Sequence, residues 1–202
     1  MPDGKKVDVN SWNSIGHVNF ADVPGSIAQL PDVRVETFLF DCLERRFGVA
    51  VLRTADYSFN LTLPVGYRVL TPTVWIENEV DNGGIAQYFW NRFQDYRLMI
   101  PDALLAYEKM GAPELAAGLR ECLRVFEPLE PECGRLKNQE KAHMRGKSAP
   151  PSGSFHEWNH KWDEQHCEGD LPLMCERISD LYRIPWIRKN PEAFVFPAND
   201  PS

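Results

Sequence analysis

The tightest constraint on this fold is the segment Glu79–Asn91, EVDNGGIAQYFWN. Asn82, Gly83 and Gly84 end one helix and permit a sharp reversal, because glycine enters positive φ without a steric penalty. Beyond the reversal, Ile85, Phe89 and Phe93 share one helical face with Ala86 and Trp90 beside them, while Gln87 and Asn91 lie one turn apart on the opposite face. Such an amphipathic helix must bury its aromatic face against other elements, so the segment commits the chain to helix-on-helix packing. The paired amides are expected to cap backbone groups beside the glycine turn; holding a ligand is the alternative role.

The rest of the chain carries helical punctuation. Phe38, Cys42 and Leu43 recur at helical spacing before Gly48; Thr71-Pro72 reads as a capped helix start; Pro101 and Pro113 open two helices on either side of Gly111. Ser154 reads as the cap of FHEWNHKWDEQH and Asp170 as the cap of LPLMCERISDLYRI, which Pro185 should kink or end. Residues 1–30 hold few apolar side chains and read as a loosely ordered arm. Residues 49–63 permit a minor strand as well as a helix. Residues 127–154 are rich in proline and charge and read as an exposed excursion, either flexible or a short helix between loops. The expectation is an all-α single-domain bundle of about seven helices over residues 31–202.

Composition bounds the function. Five cysteines at scattered spacings, with no CxxC, fit reduced thiols and hence a cytoplasmic protein. No stretch is apolar enough to span a membrane. The net charge of −7 argues against direct nucleic-acid binding, since a phosphate backbone attracts basic faces. That charge is unevenly placed: residues 75–134 carry −6 and 155–176 carry −5, with +4 between them.

The motif glutamate-valine-x-asparagine-glycine-glycine falls on Glu79, Val80, Asn82, Gly83 and Gly84, followed by Gln87, Phe89 and Asn91. Together with the Gly111-Ala112 step and the closing Asn190, Pro191, Glu192 and Phe194, it resembles the bacterial DNA-mimic protein family over about residues 64–196. The resemblance implies a helical fold and an acidic surface that occupies the DNA-binding face of a transcriptional regulator or nuclease. Mimicry needs carboxylates spaced like phosphates, and side chains four apart on a helix sit at about 6 Å. Glu77 and Asp81 meet that spacing. With Glu79, and with Glu127, Glu130, Glu132, Asp163 and Glu164 extending the field toward Glu168 and Asp170, they form the candidate partner-binding set. Arg135, Lys137, Lys141, Arg145 and Lys147 oppose it. A toxin-blocking immunity-type protein is the alternative binder, and a homodimer is compatible with either.

One motif points to chemistry instead. HEWNHKWDEQH contains H-E-x-x-H, with His156, His160 and a third histidine, His166, at the spacing of a zinc protease. In that reading zinc is the cofactor and Glu157 the general base. Against it, Asp163 replaces the glycine that lets the third ligand swing back. Phe155, Trp158 and Trp162 define the buried stripe and turn the histidines to solvent. The expectation is therefore surface histidines, no cofactor and no catalytic residue.

Overall fold

A computed structural model of the chain describes residues 19–54, 56–145, 153–175 and 177–197. The described residues form an all-α bundle without strands. Its elements are α1 (Val23–Gln29), α2 (Asp32–Phe47), α3 (Val49–Thr54), α4 (Tyr57–Asn60), α5 (Val65–Asn91), α6 (Tyr96–Met110), α7 (Pro113–Arg145), α8 (Ser154–Asp163) and α9 (Ile184–Lys189). Single 3-10 turns lie at Leu171–Met174 and Pro191–Phe194, and a π-helical stretch at Ser179–Arg183 precedes α9.

Several boundaries differ from those the sequence suggests, each for a packing reason. The permitted strand over 49–63 is absent: Asp56 caps α4 through the Ser58 amide, and Tyr57 and Asn60 turn inward together one helical turn apart. The arm is ordered from Asn19, where Asp22 caps α1 and Ile27 is buried; residues 1–18 lie outside the described residues. Thr71-Pro72 sits inside α5, not at its start, and Pro101 sits inside α6. The Thr73 hydroxyl donates to the carbonyls of Val69 (2.9 Å) and Leu70 (3.0 Å) just where proline interrupts the backbone ladder.

The largest departure is at 127–154. Residues 127–145 continue α7, and 146–152 lie outside the described residues. Pro128 and Pro131 both face solvent, so the carbonyls they orphan reach water, while Leu119, Cys122, Phe126, Cys133 and Leu136 keep a buried stripe running past them. Asp170 does not start a long helix either: a 3-10 turn follows it, and Pro185 falls in the first turn of α9, where a missing N–H is tolerated. Ser154 is the first residue of α8 and makes no side-chain cap.

Two apolar cores result. In the larger, Phe89 stacks on Phe126 with ring centroids 4.0 Å apart, Trp158 and Trp162 of α8 pack around them, and the Trp158 indole donates to the Ala86 carbonyl at 2.8 Å. In the smaller, α1, α2, the first half of α5 and the C-terminal turns enclose Leu39, Tyr67, Leu70 and Phe194. α5 is shared by both, which makes its bend the joint of the molecule.

Candidate functional site

The bend in α5 is built by the two glycines. Gly83 is extended (φ −177°) and Gly84 has φ 79° and ψ 175°, a region that essentially only glycine occupies. The bend brings together residues that a straight helix would separate. The Glu79 carboxylate accepts from the Gln87 amide at 3.0 Å and from the Asn91 amide at 2.7 Å, and lies 3.7 Å from the Arg92 guanidinium. Arg92 in turn lies over the Trp75 ring at 4.4 Å. The paired amides therefore do not cap backbone, as the sequence suggested; they hold a carboxylate across the bend. Asn82 of the same segment does bond backbone, donating to the Asn78 carbonyl at 2.6 Å. Phe89 is a core residue, and Glu79, 14% exposed, has its charge committed internally.

Two residues before Glu79, Glu77 also faces inward. Its side chain is 15% exposed and pairs with Arg183, which is 2% exposed and also bonds Glu36 of α2 at 2.6 Å. Ser179 donates to the same Glu36 at 2.6 Å. Burial pushes the Glu77 carboxyl above its ordinary value, against the pull of the Arg183 charge. This centre ties α2, α5 and the π-helical stretch together. Sequence reasoning missed Arg183 and Glu36; the available signal was an arginine one turn before Ile187, on the face that Ile184 and Ile187 bury.

Three of the remaining candidate carboxylates lie against basic side chains. Glu130 pairs with Arg97; Glu132 pairs with Arg135 at 2.7 Å and Lys161 at 3.4 Å; Glu164 lies 3.2 Å from His160. The Arg135 hydrogen bond, with Lys161 beside it, holds the Glu132 carboxyl down to about 2. Of the candidate set, Asp81, Glu127 and Asp163 are exposed and carry no ion pair among the described residues. Lys137 of the opposing basic block is half-buried, donating to the Trp90 carbonyl at 2.6 Å, while Arg135 also bonds Glu157 at 3.0 Å. Where α7 crosses the loop after α8, a Cβ on Gly118 would meet the Gly169 carbonyl at 2.4 Å. That close crossing sets Glu121 against the segment carrying Glu168 and Asp170.

Residues 61–190 match the family model described as DMP19-like protein. The chain belongs to the DMP19-like protein family. No curated protein and no solved structure matches it. In this DMP19-like chain the matched span contains the glycine bend, the Glu79 clamp and Arg183, and leaves out Glu36. Membership is compatible with a protein-binding role.

The histidine motif of the DMP19-like chain does not assemble. His156 and His160 are exposed on α8, which ends at Asp163, and His166 follows in a loop with φ 49°. Asp163, at the position where a zinc protease places glycine, is still helical, and no three His, Cys, Asp or Glu side chains among the described residues are grouped to hold a metal ion. Nor does Cys167 pair with a base: its sulfur lies 3.8 Å from that of Cys122, whose thiol burial pushes far up. Among the described residues no helix is long and apolar enough to cross a membrane.

Proposed function

We propose that this DMP19-like protein acts by binding another protein, presenting unpaired carboxylates to the DNA-binding face of a transcriptional regulator or nuclease. The observation that carries the reading is how the charge is distributed. Arg68, Arg92, Arg97, Arg120, Arg124, Arg135, Arg183 and Arg188 are all committed to carboxylates of the chain itself. With these eight arginines so committed, the acidic excess is carried by exposed carboxylates that are unpaired among the described residues, Asp81, Glu127, Asp163 and Glu168 among them. A surface of that kind attracts a basic groove and repels duplex DNA.

Glu77 and Glu79 drop out of the contact set in this reading, because both are held internally. Affinity for the partner should fall with added salt and be competed by duplex DNA. The decisive variant is Asp81→Asn, Glu127→Gln and Asp163→Asn together. The substitutions leave every ion pair described above intact, so a fold effect is not expected, and association should slow by about tenfold or more at low salt. A partner whose binding rate and salt dependence are unchanged by the triple variant would sink the proposal.

A further inference from the structure

Where α7 crosses the loop after α8, a Cβ on either glycine would strike the other's carbonyl, at 2.4 Å from Gly118 and 2.6 Å from Gly169. Cys122 lies one helical turn beyond Gly118, and Cys167 lies two residues before Gly169, so the close crossing carries both cysteines with it. Their sulfurs are 3.8 Å apart. Cys122 is fully buried in the stripe that holds Leu119 and Phe126, whereas Cys167 is half-exposed.

The two thiols differ in what they can do. Burial pushes the Cys122 thiol far above its ordinary value, so it stays protonated and does not meet an oxidant in solution. Cys167 reaches solvent and can. A disulfide bond is about 2 Å long, so the sulfurs must approach further than they do at rest. Cys122 is fixed within α7, but residues 166–168 belong to neither helix nor turn, and Cys167 is therefore the side that can move.

We propose that Cys167 and Cys122 are an oxidant-sensitive pair, modified by peroxide to a reversible disulfide that ties the loop after α8 to α7. The Cys167 sulfur attacks one peroxide oxygen; the O–O bond breaks, and the departing hydroxide takes the thiol proton and leaves as water. A sulfenic acid remains on Cys167. The Cys122 sulfur then attacks the sulfenic sulfur; the S–O bond breaks, the oxygen leaves as water with the Cys122 proton, and the S–S bond closes. Two thiols lose two electrons and two protons, and one peroxide becomes two waters. Transient disulfides of this kind occur where thiols are otherwise kept reduced. The bond holds Glu168 and Asp170 against Glu121 of α7, and its formation does not rest on the partner-binding reading.

The test exposes the full chain to hydrogen peroxide, blocks the remaining thiols with N-ethylmaleimide, and maps the unreduced digest by mass spectrometry. A linked Cys122–Cys167 peptide pair is expected, two hydrogens lighter than its reduced parts and released by dithiothreitol. Cys175, the other half-exposed cysteine, is the control: Cys175→Ser should leave the linked pair unchanged. Cys122→Ala should stop the reaction at a Cys167 sulfenic acid that dimedone traps, and Cys167→Ser should leave Cys122 unoxidised. In the oxidised chain the amides of residues 164–170 should exchange more slowly. Should Cys122→Ala fail to fold, the peptide map of the unaltered chain decides. Oxidation of Cys167 to sulfinic acid with no linked pair, a link between two chains, or a Cys167–Cys175 link would overturn the proposal.

Discussion

Gly84→Ala is the most informative single perturbation of this fold. At φ 79° and ψ 175°, any Cβ brings backbone strain, yet a Cβ there would have nothing within 4 Å, so strain is the whole effect. Holding a non-glycine residue in that region costs roughly 1–3 kcal/mol. For a 202-residue chain, where each kcal/mol moves the melting temperature by about 2–4 °C, the expected loss is about 2–12 °C. Gly83→Ala provides the contrast. Its φ of −177° is open to any residue, but the new Cβ would meet the Gln87 Oε1 at 2.3 Å and must displace that amide from Glu79. Losing one hydrogen bond of a carboxylate that keeps Asn91 and Arg92 should cost about 0.5–1.5 kcal/mol. In a Gln87→Ala background, Gly83→Ala should then add almost nothing, whereas Gly84→Ala should cost the same as before. Urea unfolding of the five variants measures this, with an unchanged slope required for the comparison. A Gly84→Ala loss below about 0.5 kcal/mol, the range of an ordinary surface change, would refute the assignment of the bend to backbone strain.

Other outcomes follow from the charges and thiols. Arg183→Met leaves Glu36 and Glu77 buried against each other and should cost about 3–5 kcal/mol at neutral pH, with part regained in mild acid as a carboxyl protonates; equal losses at both pH values would show that the charge is not the cause. Glu132, held near 2 against an ordinary 4.5, should add stability that is fully present above 4.5 and lost as pH falls toward 2; a carboxyl titrating by NMR at its ordinary value would show that Arg135 and Lys161 do not hold it. Burial raises the Cys122 thiol far above its ordinary value, and raises Cys133 to about 12, while Cys167 is half-exposed. Alkylation of the native chain, read by mass spectrometry, should therefore label Cys167 well before either, and early labelling of Cys122 would contradict its burial.

How much of this was legible in the sequence depended on whether one segment or several decided the outcome. The aromatic face of Ile85 and Phe89 and the turning role of Gly83-Gly84 were readable because periodicity and glycine chemistry are local. The helical bundle was readable for the same reason. The proline-marked boundaries were misread: Pro72 and Pro101 look like helix openers until the buried residues on either side carry the helix through them, and Pro128 and Pro131 look like breaks although both face solvent on a helix that runs on. The partner of Glu79 was invisible for a different reason: Asn91 is twelve residues away, and only the bend brings it to 2.7 Å. Arg183 is farther still, with Glu77 and Glu36 reaching it from more than a hundred positions upstream. Solvent exposure of His156 and His160 was legible, because Trp158 and Trp162 claim the buried side of the same short helix.

These placements separate the residues that name the family from those available to a partner. The motif glutamate is spent on Gln87, Asn91 and Arg92, and the glutamate two residues before it is spent on Arg183. Replacing either would therefore loosen the joint between the two cores before it changed any surface potential. Asp81, Glu127 and Asp163 are exposed and take no part in the ion pairs described above, so their charges can be altered at little cost to folding. It follows that a chain can keep the whole motif and the same bundle while presenting a different pattern of surface charge. The motif then certifies the scaffold, and on the proposed reading the choice of partner is written in exposed carboxylates that the motif does not include.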